Sequence, residues 1–224
     1  MTTVGRDGAR LWRLVAALSV VLLLTACGGT PAAGPVAGFT VHDDDGMHGA
    51  VLAQPYRVPR VTLTDTAGDA YALRRDTTQP LTLAFFGYTH CPDICQLVMA
   101  DIASAMTRLD TADRRDVGML FISSDPARDD PGTLRTYLDR YDPSFEGLTG
   151  DLSEIVRLGN ALGVPIEKGT RMPSGGYEVA HGTQIVALLD DGSAPIVWTE
   201  GTPAAQLAED ITELLQNGIA GGAS

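Results

Sequence analysis

An apolar run from Leu81 to Phe86 breaks at Gly87 and passes through Tyr88-Thr89-His90-Cys91-Pro92-Asp93-Ile94-Cys95 into a segment of helical period. A strand that is apolar at nearly every position is buried on both faces and belongs in the middle of a sheet. The residues after it must leave the sheet at its carboxyl edge. Two thiols on that exit, just ahead of a helix, put sulfur where the open end of an α/β sheet meets its ligands.

The rest of the chain alternates strand and helix around this junction. Val58 to Thr64 and Tyr71 to Leu73 predict a hairpin about the turn Asp65-Thr66-Ala67-Gly68-Asp69. After the thiol loop, Leu97, Met99, Ile102, Ala103, Met106 and Leu109 recur at helical spacing. Val117 to Ser123 predicts a second buried strand. Asp130 is placed to cap a helix that opens with Pro131 and carries Leu134, Tyr137 and Leu138. A short strand ends at Leu148-Thr149-Gly150. Asp151 or Ser153 caps the next helix, with Ile155, Leu158 and Leu162 on one face and Gly163 at its end. Residues 165–176 carry prolines and glycines and read as a loop. Strands follow at Tyr177 to Ala180, Gln184 to Leu189 and Pro195 to Trp198, and Pro203 opens a final helix bearing Leu207, Ile211, Leu214 and Leu215. This order predicts an α/β thioredoxin-like fold, with a central mixed sheet flanked by helices and an N-terminal β-hairpin.

The first residues have a different character. Arg6, Arg10 and Arg13 precede an apolar run from Leu14 to Leu24, which ends in Leu24-Thr25-Ala26-Cys27. That is the pattern of a bacterial secretory signal, too short for a membrane span, and its last residues resemble a lipobox. The expected organisation is a lipoprotein signal peptide at 1–26, a flexible tether at 27–48 lipidated on Cys27, a folded domain at 49–218 and a disordered tail at 219–224. The domain would then sit at the extracytoplasmic face of the cell membrane, held by its lipid anchor. His42, Met47 and His48 flank Asp43-Asp44-Asp45, which reads as a solvated acidic loop. A net charge of −12, with no run of lysine or arginine, excludes nucleic acid as a partner.

With Cys27 assigned to the lipid, Cys91 and Cys95 are one pair in an oxidising compartment. They suit a weak structural staple, a redox pair, or a soft-metal site. A disulfide closing so short a loop adds little stability by chain entropy. Thioredoxins space their redox cysteines two residues apart at this junction, where a helix N-terminus lowers the thiol pKa; three intervening residues relax that geometry. Two thiolates suit Cu(I) or zinc, and one added imidazole completes a three-coordinate copper site that also accepts Cu(II). His90 and His181 are the candidates for that imidazole. His90 adjoins Cys91, and neighbouring side chains on an extended loop diverge. His181 lies ahead of a later strand, whose loop can face the thiols.

Three segments in order resemble the Sco/SenC family of copper proteins: Gly87 to Cys95, Phe121-Ile122-Ser123-Ser124-Asp125-Pro126-Ala127-Arg128-Asp129, and Tyr177-Glu178-Val179-Ala180-His181-Gly182-Thr183. The likeness covers roughly residues 50–216. It implies Cys91 and Cys95 as thiolate ligands and redox pair, His181 as imidazole ligand, and Asp125 as an acid that supports the site or meets the partner; His90 is left without a role. It implies a copper chaperone rather than an enzyme, binding Cu(I) or Cu(II) and serving the copper-receiving subunit of cytochrome c oxidase, with a thiol reductant as second partner. A thiol–disulfide oxidoreductase that reduces that subunit's cysteines is the alternative, and a peroxidase or redox sensor on the same fold a third. Gln96, where the family often has proline, and Gly182, where a small hydroxyl residue is common, depart from the pattern.

Overall fold

The chain enters its fold through β1 (Ala50–Arg57), the edge of a six-stranded sheet. In this computed structural model residues 46–171 and 177–218 are described, with side chains described for 46–166 and 182–218. Residues 1–26, most of the tether with Cys27 and His42, and residues 219–224 lie outside that range. The elements after β1 are β2 (Thr62–Thr64), β3 (Ala70–Ala72), α1 (Leu73–Asp76), β4 (Leu81–Gly87), α2 (Ile94–Met106), α3 (Thr111–Asp116), β5 (Val117–Ser123), α4 (Pro131–Leu138) and β6 (Glu146–Leu148). They are followed by α5 (Leu152–Ala161), β7 (Ile166–Arg171), β8 (Tyr177–His181), β9 (Ile185–Leu189), β10 (Ser193–Trp198) and α6 (Ala204–Asn217). Among the described residues no helix is long and apolar enough to cross a membrane.

The main sheet runs β1-β10-β9-β4-β5-β6 and is mixed, as expected. β4 pairs in parallel with β5 over its whole length, Leu81 to Gly87 against Val117 to Ser123, and antiparallel with β9 from Leu81↔Leu189 to Phe85↔Ile185. β4 is buried at every position, which is why it reads as a continuous apolar run rather than an alternating one. Gly87 closes the strand where a Cβ would stand 2.9 Å from the Phe121 ring.

The helical faces follow their periodicity, with one exception. α2 buries Cys95, Val98, Met99, Ile102, Ala105 and Met106. Leu97 was expected on that face, yet it is 60% exposed. Cys95 joins the core, and a residue two positions along a helix turns to the opposite side. α4 buries Leu134, Tyr137 and Leu138 as predicted, and Asp130 caps it by accepting from the Thr133 amide at 2.7 Å. Asp151, rather than Ser153, caps α5. Gly163 ends that region with φ +70°, a conformation that favours glycine, and a Cβ there would meet the Tyr56 ring.

Two strands depart from the sequence reading. β1 was not anticipated, because Pro55 lies within it and its register slips between Val51 and Tyr56; both features belong to an edge strand with a bulge. Residues 165–176 were expected to form a loop, but 166–171 form β7, paired antiparallel with β8 from Ile166↔His181 to Arg171↔Tyr177. The irregular register between Lys168 and Arg171 explains how Gly169 is accommodated. The hairpin β2–β3 forms as predicted but makes a small sheet of its own, bridged to the main one by Thr64↔Thr149.

The entry to β1 is fixed by a buried carboxylate. Asp210 on α6 accepts from the backbone N–H of His48 at 3.0 Å, from that of Gly49 at 2.7 Å, and from Trp198 Nε1 at 2.7 Å. His48 Nε2 in turn lies 3.0 Å from Glu209. Met47 packs against the core beside them. Asp210→Ala would strand three donors in the interior. The expected result is a loss of about 3 kcal/mol in urea unfolding, from roughly 1–3 kcal/mol per orphaned buried group with partial relaxation. A loss below about 0.5 kcal/mol would show that this anchor carries no weight.

Candidate metal centre

The thiol loop is positioned from both ends. β4 delivers it at Gly87, and Asp93, accepting from the Ile94 amide at 2.7 Å, starts α2. Within the loop the Cys91 N–H donates to the Tyr88 carbonyl at 3.1 Å, and the Cys95 N–H donates to Cys91 Sγ at 3.3 Å. The two cysteines therefore sit on consecutive turns of one tight segment. Both are free thiols and both are buried, Cys91 at 4% exposure and Cys95 at 0%. Gln96 sends its amide back to the Cys91 carbonyl at 3.4 Å, a contact proline would not make at that position.

Burial governs the second thiol. Desolvation, reinforced by its hydrogen bond with Cys91, pushes the Cys95 pKa well above the ordinary thiol value, and a backbone bond from Tyr88 only partly opposes this. The helix start that activates a thiol in thioredoxins is outweighed here. Tyr137 packs nearby, and its phenol is likewise pushed up, first by burial and then by Tyr141. Burial therefore favours the neutral thiol at Cys95 in the metal-free protein, until something replaces its proton.

His181 ends β8, outside the residues whose side chains are described, but its backbone is placed. It pairs with Ile166, and the next residue, Gly182, donates to the Pro165 carbonyl at 3.2 Å. Three residues on, β9 begins with Ile185 opposite Phe85. Because β9 runs antiparallel to β4, the segment before Ile185 lies at the edge where β4 gives way to the thiol loop. Among the described residues no three metal-ligating side chains cluster.

The acidic loop after β5 carries two buried carboxylates. Asp125 is buried and ion-paired with Arg128, whose guanidinium lies over the Tyr88 ring at 5.9 Å from its centroid, so the Asp125 carboxylate reaches the thiol loop through these two residues. The acid in direct contact is Asp129, at 0% exposure. It accepts from the Thr89 N–H at 3.0 Å, from Thr89 Oγ1 at 2.6 Å and from Ser123 Oγ at 2.7 Å. Asp129 thus ties the thiol loop, the end of β5 and the entry to α4 together. Sequence reasoning passed over it; its position in the Asp-Pro-x-Arg-Asp segment was the available signal.

Comparison with known proteins places this arrangement. The SCO1/SenC family profile matches residues 53–216. The chain belongs to the SCO1/SenC family. ScoI of Bradyrhizobium japonicum, solved with copper bound, is 32% identical with a TM-score of 0.61, over 71% of this chain and 97% of that one. BsSco, described as a member of the Sco family of cytochrome c oxidase assembly proteins with a disulfide switch, shares the fold at 24% identity and a TM-score of 0.57, over 71% of this chain and 93% of that one. The mitochondrial SCO2 homologue of Danio rerio is 32% identical over 139 residues, 62% of this chain and 50% of that protein. The chain thus spans about half the length of the curated relatives it matches.

The raised Cys95 pKa has a measurable consequence. A thiol that holds its proton more tightly when folded stabilises the fold below the unfolded thiol pKa of about 8.5, and that stability is lost as pH rises towards the folded value. In the reduced, metal-free chain, urea unfolding between pH 7 and 10 should show stability falling above pH 8.5, and Cys95→Ser should flatten that slope. Alkylation of Cys95 at pH 8 should run at least ~10-fold slower in the native than in the unfolded chain. Equal rates would contradict the buried, neutral thiol.

Proposed function

We propose that this chain is an extracytoplasmic copper chaperone that holds copper on Cys91, Cys95 and His181 and passes it to the copper-receiving subunit of cytochrome c oxidase. The observation that carries this reading is the pair of buried cysteines on one tight loop, with the backbone of His181 at the same sheet edge. Two thiolates and an imidazole form a donor set suited to copper in either oxidation state. Copper bound to ScoI, and the naming of the Sco family for cytochrome c oxidase assembly, support the cargo and the client. Asp125, through Arg128 and Tyr88, supports the loop from behind.

The same sulfurs support a second role. The Cys95 N–H on Cys91 Sγ reports how closely the segment is folded, which favours reversible disulfide formation, and BsSco carries a disulfide switch. A thiol reductant would return the pair to the copper-binding state, because only reduced cysteines ligate copper. The pair could also serve as a reductase for cysteines of the client.

Copper titration of the reduced full chain should give one equivalent bound, with a visible thiolate-to-Cu(II) charge-transfer band. Cys91→Ser and Cys95→Ser should each abolish the band. His181→Ala should weaken Cu(II) by at least ~10-fold, about 1.4 kcal/mol. Identical binding by His181→Ala and wild type would sink the ligand set.

The tether is part of the proposal. Residues 1–26 would direct export, and Cys27 would carry the lipid that holds the domain at the cell membrane. Cys27→Ser should move the protein from the membrane fraction to the soluble one on cell fractionation. Persistence in the membrane would refute a lipid anchor at that residue.

A further inference from the structure

His90 lies at the open mouth of the thiol loop with its ring already oriented. Its Nδ1 is 3.0 Å from Thr89 Oγ1 and 3.8 Å from Asp129 Oδ1. The hydrogen-bond directions around it are fixed by their neighbours. The Asp125 N–H donates to Ser123 Oγ at 3.1 Å, so the Ser123 hydroxyl is free to give its own proton to Asp129. Thr89 gives Asp129 both its N–H and its hydroxyl proton. The Thr89 oxygen is left as an acceptor, and the group facing it is His90 Nδ1, which must therefore carry the N–H. In a neutral imidazole this puts the lone pair on Nε2. Among the described residues nothing bonds that nitrogen.

An imidazole whose far nitrogen is held by a hydroxyl backed by a buried carboxylate is oriented as metal-binding histidines are. The difference lies in exposure. The His90 side chain is 56% exposed, whereas Cys91 and Cys95 are at 4% and 0%. With Thr89, Tyr137 and Arg140, His90 also lines an open groove of about 610 Å³ beside the loop. An ion brought by a donor meets the exposed His90 ring more readily than the secluded cysteines. His90 is the sequence neighbour of Cys91, and no cluster of three metal-ligating side chains forms among the described residues, so handing an ion on suits His90 better than sharing it with both sulfurs.

We propose that His90 Nε2 is a transient copper ligand that captures the ion at the mouth of the loop and transfers it to Cys91 and Cys95, with Thr89 and Asp129 as the residues that position its ring. This rests on the copper-binding reading above. The step is ligand exchange without a change in copper oxidation state: each S–H loses its proton to solvent as a sulfur–copper bond forms, and the Nε2–copper bond breaks.

The test is stopped-flow loading of the reduced full chain with Cu(II)–glycinate, following the thiolate charge-transfer band. His90→Gln, a change at an exposed ring, should slow loading by about 10-fold, within the roughly 10–100-fold that orienting a metal-binding imidazole is worth, and should leave the final band and the stoichiometry unchanged. Thr89→Val, which removes the hydroxyl that holds Nδ1, should slow loading as well, and Thr89→Ser should restore it. His90→Gln loading at the wild-type rate would overturn the proposal. A reduced final band or stoichiometry in His90→Gln would also overturn it, by making His90 a resident ligand. If wild type itself forms no such band, the copper-binding reading fails first, a result distinct from either of these.

Discussion

The parallel pairing of β4 with β5 is the constraint on which the site depends. β4 is paired on both sides and buried along its whole length. β4 and β5 both end at the same edge, Gly87 opposite Ser123. The thiol loop and the acidic loop therefore emerge side by side, and their contacts follow. Ser124 donates through both its N–H and its hydroxyl to the Gly87 carbonyl, and Asp129 closes over Thr89 and Ser123. The antiparallel strand β9 brings the third segment to this edge from the other side of β4.

That geometry leaves Cys95 in a state that is chemically useful because it is suppressed. A thiol activated by a helix start is reactive towards any oxidant it meets. Here Cys95 is buried among the core side chains of α2, and burial outweighs the helix start. A proton is costly to remove from such a site without compensation, and a soft cation bonded to both sulfurs supplies that compensation directly. The same burial makes an exposed first contact such as His90 useful: it separates capture, which needs accessibility, from retention, which needs seclusion.

What could be read from the sequence was whatever is encoded locally. Leu81 to Phe86 and Val117 to Ser123 announce central strands through unbroken apolarity, and Asp130-Pro131 and Asp151 announce helix starts through cap chemistry. The cysteine pair was legible because its spacing and its place after a strand are both local. β7 was not, because Lys168-Gly169-Thr170 becomes a strand only through β8, and no local feature records that pairing. β1 was hidden by Pro55, which is tolerated only because the strand is an edge. Leu97 was assigned to the core from a periodicity that did not count Cys95 as an apolar residue of the same helix.

Asp125 and Asp129 show the limit most sharply. Both are acids in one short loop, both are buried, and the Asp-Pro-x-Arg-Asp pattern contains both. Their roles diverge because the loop turns back on itself: Arg128 and Asp129 donate their amides to the Asp125 carbonyl at 3.0 and 3.1 Å. That turn points one carboxylate at its own Arg128 and the other across the gap between strands to Thr89. Asp125 is thereby paired with a cation in its own loop. Asp129 depends on donors from two other segments, so a disturbance of the thiol loop and a disturbance of the end of β5 are felt at the same carboxylate.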